Sequence, residues 1–456
     1  MSIPRFLLAA PKSGSGKTFV TCGILRLLKR RVMRVSSFKC GPDFIDPMFH
    51  RRVLGVPSRN LDTFFSGTEL TRFLFSEGAE DRDISVIEGV MGYFDGTGQD
   101  GMLASAYDLS KTLKAPVVLV VEARGMSRSI VPLVKGFYEY GESHNIKGII
   151  LNRISKGIYP SMKSWIEAEL PVKVLGYLPE CRDALWESRH LGLVQPEEIK
   201  ELLIQVDKVA DILEETLDID NLLSIADSAE ALEIGDFPVE KLTAKVKIGI
   251  AYDEAFTFYY EDNFNLMRKM GAELKFFSPL RDKAIPDVDG LIFGGGYPEL
   301  HGDELSQNTE MIGALQALNK KGIPILAECG GFMYLQQGLS DREGRRSAMA
   351  GLIPGETQMT ERLVRFGYIT LKANEGYPSS YLTEGEEIRG HEFHYFDSSD
   401  NGGSCRAEKV TGKRGWDCIV SKDNLMAGYP HLYYYSNPNF IRSFLMRCAE
   451  WRKQNQ

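Results

Sequence analysis

Cysteine is sparse in this sequence, and the cysteines form no recognisable framework. Their number is odd, seven in 456 residues, and none stands in a CxxC or a short Cys/His spacing. Disulfide scaffolds need paired cysteines, and zinc sites need closely spaced ligands. We therefore exclude both classes and expect a reducing, cytoplasmic location.

Long hydrophobic runs and an excess of basic residues are also absent. The longest apolar stretches, such as Ala115 to Val121, have the length of buried strands, and the run from Phe6 to Ala10 is too short for a signal peptide. The 54 Lys and Arg stand against 62 Asp and Glu, whereas a nucleic-acid surface needs a concentrated basic face. We expect neither a membrane span nor a nucleic-acid partner.

The sequence does contain enough apolar mass for more than one core. A length of 456 residues, 43% of them hydrophobic, is typical of a globular protein of two or three domains. Up to about residue 225, short β-branched runs alternate with helical stretches, which predicts a parallel sheet covered on both faces. Its predicted strands are Arg5–Ala10, Met33–Phe38, Ile84–Glu88, Pro116–Glu122, Gly148–Leu151 and Val172–Tyr177.

A second alternation follows an acidic, helix-prone connecting segment. From Gly351 to Tyr435, alternating polar and aromatic residues predict added antiparallel strands. The fold class is therefore α/β with two domains, at 1–225 and 246–456, joined by a linker at 226–245. The parallel strands predicted for the second domain are Val246–Tyr252, Leu274–Ser278, Gly290–Gly294 and Ile323–Glu328.

The first predicted strand runs into a glycine-rich turn that opens a helix, as a P-loop requires. Backbone N–H groups of such a turn cradle phosphate oxygens, Lys17 would reach the β and γ phosphates, and Thr18 would hold Mg²⁺. Pro11 replaces the first glycine of the usual pattern. The predicted nucleotide-binding residues are Lys12, Ser13, Gly14, Ser15, Gly16, Lys17 and Thr18.

Two interpretations of Lys12 stay open. It lies five residues before Lys17, a spacing seen in deviant P-loops in which a second lysine contacts the nucleotide across a homodimer. The other interpretation is a solvated loop lysine.

Acidic residues at the ends of two predicted strands are candidates for the metal site. Asp43 and Asp46 follow the second strand, and Glu88 and Asp95 follow the third, in glycine-rich surroundings. Mg²⁺ needs oxygen ligands beside the phosphates, and the carboxyl ends of parallel strands are where such sheets bind ligands. Asp46, Glu88 and Asp95 are predicted to coordinate the metal with Thr18, and Glu88 is the strongest of the four acidic candidates.

In the second half, a predicted strand runs into Cys329 and a helix follows, which resembles a thiol nucleophile elbow. A helix N-terminus there would lower the pKa of the thiol, and Gly330 would supply an oxyanion donor. Gly295 and Gly296, after another strand, would complete the oxyanion hole. The base that a cysteine nucleophile needs is predicted to be His431, with His391 and His394 as competitors.

Seven segments in one order resemble the cobyrinic acid a,c-diamide synthase family, over nearly the whole chain. The segments are Phe38–Pro47, Ser58–Thr63, Glu88–Gly92, Ala123–Ser129, Arg189–Leu193, Asp253–Tyr260 and Ser278–Asp282.

This resemblance implies a dethiobiotin synthetase-like P-loop NTPase domain and a flavodoxin-like class I glutamine amidotransferase domain. It implies that ATP phosphorylates a carboxylate of cobyrinic acid and that ammonia from glutamine displaces the phosphate, in cobalamin biosynthesis. The a and c acetates would react in turn, and the monoamide would be released between the two reactions.

Carried onto this chain, the resemblance makes Cys329 the nucleophile and His431 the residue that raises its nucleophilicity. It assigns Asp46, Glu88 and Asp95 to the metal and phosphoryl-transfer site, and the loop of Asp43, Phe44 and Ile45 to the macrocycle. The sequence departs from the family at Tyr433, where many amidotransferases have glutamate, and at Phe44 and Glu122, where Tyr and Asp are common. The third member of a catalytic triad is left unassigned.

Three other functions stay open at this point. The same chemistry could act on nickel sirohydrochlorin, siroheme or hydrogenobyrinic acid. A P-loop partitioning or metallochaperone ATPase would leave Cys329 and His431 without a role. A regulatory protein with a decayed glutaminase would release no glutamate.

Overall fold

The structure is a computed structural model that describes residues 3–141, 144–181, 196–376, 381–412 and 414–455. The chain divides into two compact units, Met1–Phe237 and Pro238–Gln456, and the division falls inside the segment predicted as a linker. The family-like segment Arg189–Leu193 lies outside the described residues.

A seven-stranded sheet forms the centre of the first unit. All neighbouring strands are parallel, in the order β3-β2-β4-β1-β5-β6-β7. Because β1, β2 and β4 are neighbours, the loops that follow them meet at one edge of the sheet. The strands are β1 (Arg5–Ala9), β2 (Val35–Cys40), β3 (Ser58–Leu61), β4 (Ile84–Glu88), β5 (Val117–Glu122), β6 (Ile146–Asn152) and β7 (Lys173–Leu178).

Helices cover this sheet, and the strands are therefore buried almost throughout. A continuous apolar sequence such as that of β5 is typical of a parallel strand with both faces covered. The helices are α1 (Lys17–Arg30), α2 (Ile45–Arg52), α3 (Thr63–Gly78), α4 (Ala106–Thr112), α5 (Ile130–Glu139), α6 (Tyr159–Glu169), α7 (Pro196–Thr216) and α8 (Ile219–Asp227).

The second unit has a smaller parallel sheet and two further sheets. Its strands are β8 (Val246–Ala251), β9 (Ala272–Phe277), β10 (Gly290–Phe293), β11 (Ile325–Glu328), β12 (Gly338–Ser340), β13 (Arg346–Ala348), β14 (Glu356–Met359), β15 (Arg365–Ala373), β16 (Glu387–His394), β17 (Phe396–Ser398), β18 (Cys405–Lys409), β19 (Gly415–Cys418), β20 (Val420–Lys422), β21 (Leu425–Gly428) and β22 (His431–Leu432).

The parallel strands of this unit have the order β9-β8-β10-β11-β21, with β20 antiparallel at the edge. In chain order this is 2-1-3-4-5, the flavodoxin-like arrangement that was predicted. The helices are α9 (Glu261–Lys269), α10 (Gly302–Gln307), α11 (Thr309–Lys320), α12 (Gly330–Leu335) and α13 (Pro438–Asn455), with short 3₁₀ helices at Pro298–His301 and Tyr434–Ser436.

The added antiparallel strands are also present. β19-β18-β15-β16-β22 form a five-stranded antiparallel sheet, and β13-β12-β14-β17 form a four-stranded mixed sheet in which β12 and β14 are parallel. The pairing of β16 with β22 brings His391 opposite His431, and thereby places two of the candidate histidines side by side. No helix in the described ranges has the length and apolarity needed to cross a membrane.

Candidate active sites

The turn between β1 and α1 has the backbone of a phosphate-binding loop. Gly14 and Gly16 have φ angles of 77° and 89°, in the left-handed region that glycine tolerates. The side chain of Asn152, at the end of β6, donates a hydrogen bond to the carbonyl of Ser15 over 2.9 Å. A Cβ atom on Gly16 would stand 2.2 Å from the Nδ2 atom of Asn152, so Asn152 supports the turn from below.

Lys17 and Thr18 begin α1 and point toward the neighbouring strands. The Lys17 ammonium donates to the carbonyl of Met91, and burial, assisted by Lys39, lowers its pKa to about 8. The Thr18 hydroxyl lies 2.6 Å from Oε1 of Glu88 and 3.4 Å from Oδ2 of Asp46. Three of the predicted residues, Thr18, Asp46 and Glu88, are therefore in contact.

Lys39 completes this cluster and was not predicted from the sequence. Its Nζ atom lies 2.5 Å from Asp46 and 2.8 Å from Glu88. Burial alone would lower the pKa of Lys39, but the two carboxylates outweigh burial and raise the pKa well above its ordinary value. A charged residue inside the otherwise buried strand β2 was the signal that could have identified it.

A cavity of about 780 Å³ opens over the P-loop. Asp43 lies at its wall and accepts hydrogen bonds from the N–H groups of Ile45 and Asp46 at the start of α2. The predicted residues that line it are Ser13, Gly14, Gly16, Lys17, Thr18, Asp43, Ile45 and Asp46. Those outside the lining are Lys12, Ser15, Phe44, Glu88 and Asp95.

Asp95 makes a different contact from those of the other predicted metal ligands. Its carboxylate accepts the N–H of Gly92 over 2.9 Å, within the loop that follows β4. Among the described residues, no three His, Cys, Asp or Glu side chains form a group that could hold a metal by themselves.

In the second unit, Cys329 occupies the sharp turn between β11 and α12. Its φ of 46° and ψ of −105° are unusual for a residue with a side chain, as at a nucleophile elbow. The sequence predicted a lowered pKa for the thiol. The structure shows the opposite, because burial raises the pKa, with a further increase from Glu299, and outweighs the N–H of Gly330. The resting thiol is therefore protonated and needs a base.

The predicted oxyanion glycines meet beside this turn. A Cβ atom on Gly330 would lie 3.0 Å from the backbone nitrogen of Gly296, and one on Gly296 would lie 2.0 Å from the carbonyl oxygen of Ala255. Neither position accommodates a side chain. Gly295 forms an isolated antiparallel bridge with Phe258, whereas within the described residues no backbone hydrogen bond uses the N–H of Gly296 as donor.

His431 is the histidine that contacts this glycine turn. A Cβ atom on Gly295 would stand 2.3 Å from Cε1 of His431, whose ring stacks on His391 with centroids 5.0 Å apart. Burial lowers the pKa of His431 well below its ordinary value, and His391 lowers it further. His431 is therefore a neutral imidazole, which is the form that can accept a proton.

The two competing histidines have other partners. Nδ1 of His391 shares a hydrogen bond with the Tyr260 hydroxyl over 3.0 Å. Both ring nitrogens of His394 are bonded, one to Glu392 over 2.9 Å and the other to the carbonyl of Phe396 over 2.6 Å. His394 thus has no ring nitrogen left to take a proton from Cys329.

The two units together define a class: a P-loop nucleotide-binding domain joined to a glutamine amidotransferase domain. The sequence profile of the CobQ/CobB/MinD/ParA nucleotide binding domain matches residues 6–194, and that of the CobB/CobQ-like glutamine amidotransferase domain matches residues 247–439. Proteins of this class use ATP and glutamine.

Curated relatives match over nearly the full length. Proteins named cobyrinate a,c-diamide synthase from Salmonella typhimurium and Listeria innocua are each 40% identical, and the alignments cover 96% of this chain and 97% and 98% of theirs. One from Priestia megaterium is 37% identical over 100% of this chain and 99% of its own. The chain belongs to the cobyrinate a,c-diamide synthase family, whose members are glutamine-hydrolysing ligases.

Proposed function

We propose that this enzyme converts the a and c acetate carboxylates of cobyrinic acid into amides, with ATP and glutamine, in cobalamin biosynthesis. The observation that carries the proposal is that one chain, 40% identical to synthases of that name, retains both a P-loop cavity and a Cys329–His431 site. One site activates the carboxylate, and the other releases ammonia.

In the first site, the chain must hold the γ-phosphate next to a macrocycle carboxylate. The N–H groups of residues 13–16 bind phosphate oxygens. Lys17 and Lys39 place positive charge beside the phosphate oxygens, on which negative charge increases during phosphoryl transfer. A carboxylate oxygen attacks the γ-phosphorus, ADP leaves, and an acyl phosphate forms. Ammonia then attacks its carbonyl carbon, and phosphate leaves.

The oxygen atoms near Thr18 suit a magnesium ion. A cation, the Lys39 ammonium, already lies between Asp46 and Glu88, and the Thr18 hydroxyl contacts Glu88. Hydroxyl and carboxylate oxygens are the ligands Mg²⁺ prefers, and phosphates supply further ones. Thr18, Asp46 and Glu88 would hold the ion, which neutralises phosphate charge when bound. Asp95 would act indirectly, because its hydrogen bond with the N–H of Gly92 fixes the loop that follows β4.

The loop from Asp43 to Ile45 is proposed to select the macrocycle. Ile45 lines the cavity, and Asp43 fixes the start of α2 through two backbone hydrogen bonds. Phe44 is 7% exposed, so a change there alters the shape of the loop.

One activating site must serve both acetates, and the ring must therefore rebind or rotate between the two reactions.

In the second site, His431 is proposed to accept the thiol proton of Cys329. The thiolate attacks the γ-carboxamide carbon of glutamine, and the N–H groups of Gly295, Gly296 and Gly330 stabilise the oxyanion. His431 returns the proton to the leaving nitrogen, and ammonia departs. Water then hydrolyses the thioester, which yields glutamate.

Incubation of the enzyme with ATP, glutamine and each candidate macrocycle, followed by mass spectrometry, tests the substrate. Conversion of cobyrinic acid to a diamide, with no conversion of siroheme or nickel sirohydrochlorin, supports the proposal. Amidation of another tetrapyrrole alone would reassign the substrate but keep the chemistry. A cytoplasmic location and a homodimer remain predictions, and both interpretations of Lys12 stay open.

A further inference from the structure

Glu328 is the last residue of β11 and directly precedes the proposed nucleophile. Its side chain is 10% exposed, and Oε2 lies 3.9 Å from Nδ1 of His431. The other oxygen, Oε1, accepts the hydroxyl of Tyr434 over 3.3 Å. A buried carboxyl group thus stands beside one ring nitrogen of His431, Nδ1.

The acid that normally supports the histidine of such a site is absent at its usual position. Tyr433, two residues after His431, donates its hydroxyl to Asp262 over 3.1 Å. A phenol does not balance the charge of an imidazolium, whereas a carboxylate both accepts Nδ1–H and stabilises that charge. The site therefore needs an acid from another element.

We propose that Glu328 is the positioning residue for His431 and takes the place of the missing third member of the triad. The inference rests on the proposed roles of Cys329 and His431. When it is ionised, the carboxylate of Glu328 accepts Nδ1–H of His431, which leaves Nε2 to take the proton of the thiol. The imidazolium that forms then lies beside a negative charge.

The local backbone makes this placement possible. The positive φ at Cys329 turns the chain sharply directly after Glu328, and adjacent residues can therefore both reach His431. The N–H of Cys329 donates to the carbonyl of Gly428, and this bond fixes β11 against β21, three residues before His431. A distance of 3.9 Å exceeds a hydrogen bond, and catalytic contacts of this kind shorten when substrate binds.

The contacts of Glu328 with two side chains, those of His431 and Tyr434, allow a matched pair of variants. Glu328→Gln keeps the size of the side chain and removes its charge, whereas Tyr434→Phe removes the hydroxyl contact and leaves the carboxyl group facing His431. The measured quantities are kcat and KM for glutamate release from glutamine, and the rate at which iodoacetamide alkylates Cys329.

We expect Glu328→Gln to lower kcat by roughly 10²-fold or more, toward the roughly 10⁴-fold loss seen when a triad aspartate is neutralised. KM for glutamine should change little, because the residue does not touch glutamine, and alkylation should slow. Tyr434→Phe should stay within a few-fold of the wild type. Glu328→Asp, which withdraws the carboxylate by one methylene, should fall between the two and serves as the test if Glu328→Gln does not fold.

Equal losses in Glu328→Gln and Tyr434→Phe would show that Glu328 acts only through its structural contact and would overturn the inference. Wild-type kcat in Glu328→Gln, or in Glu328→Asp, would overturn it as well. If His431→Ala itself retains glutaminase activity, the proposed function of the second site fails instead. The two failures are therefore distinguishable.

Discussion

The ammonium of Lys39 lies 2.5 Å from the carboxylate of Asp46, inside the first unit and directly below the P-loop. Glu88 makes the second contact of the ammonium, and its carboxyl group is fully buried. One buried cation therefore offsets only part of the charge of two buried acids, and burial raises the pKa of Glu88 to about 7. This partial charge balance holds the pKa of Asp46 below its ordinary value, because Lys39 outweighs burial there.

Replacing Lys39 with Met should destabilise the first unit and stop amidation with either nitrogen donor. Removal of one partner of a buried ion pair costs about 3–5 kcal/mol, because the other charge stays buried without compensation. Thermal unfolding without added divalent cations measures the loss. The double variant Lys39→Met/Asp46→Asn should regain part of the stability; a double variant no more stable than Lys39→Met would contradict the charge balance.

Gly295→Ala should impair glutamine hydrolysis but not ammonium-supported amidation. The added methyl group would lie 2.3 Å from Cε1 of His431, so the ring must move, and a displacement of about 1 Å costs on the order of 10²-fold in rate. Gly313→Ala, in helix α11 with nothing within 4 Å of the added carbon, is the matched control. Comparable glutaminase rates in Gly295→Ala and Gly313→Ala would contradict the placement of the His431 ring against Gly295.

The pH dependence of stability reports the state of Glu328 in the resting enzyme. Burial raises the pKa of Glu328 from 4.5 to about 8. Between these two pH values, the folded protein keeps a proton that the unfolded chain has released. The contribution of Glu328 to the stability of the wild type therefore falls as pH rises. Glutamine does not titrate, so the Tm of Glu328→Gln relative to the wild type should increase between about pH 5 and pH 8. A constant difference would mean that Glu328 is already ionised at rest.

A change at Phe44 should alter the ratio of monoamide to diamide more than it alters glutaminase activity. Phe44 belongs to the loop at the cavity of the first unit and has no part in the thiol site. A time course of products from Phe44→Tyr and the wild type measures the ratio. A wild-type course in which diamide appears with no free monoamide, even with excess macrocycle, would contradict release between the two reactions.

The strands that could be predicted are those with an uninterrupted apolar sequence. Ile84–Glu88 was predicted with its observed bounds, whereas β3, Ser58–Leu61, was missed because three of its four residues are polar. The start of β2 was placed two residues early, and its end, which contains Lys39, was left outside. Local pattern does not reveal a strand whose polar side chains are satisfied by neighbouring elements.

The residues of the two sites show the same difference: some could be predicted from a local motif, and others could not. Cys329, Lys17 and Thr18 stand in local motifs that carry their own structural context, and sequence alone was enough to single them out. Lys39, Asn152 and Glu328 were missed because each acts on residues distant in sequence or across a sharp turn. The raised pKa of Cys329 could not be predicted from the sequence either, because it depends on burial in the folded unit.

The central claim is that one chain holds two separable reactions, and amide formation by Cys329→Ala with each nitrogen donor tests it most directly. Lys17→Ala provides the reciprocal control, because it should stop amidation with both donors and leave glutamine hydrolysis. We predict that Cys329→Ala makes no amide from glutamine but retains most of the wild-type rate with ammonium. Equal loss with glutamine and ammonium would contradict the account.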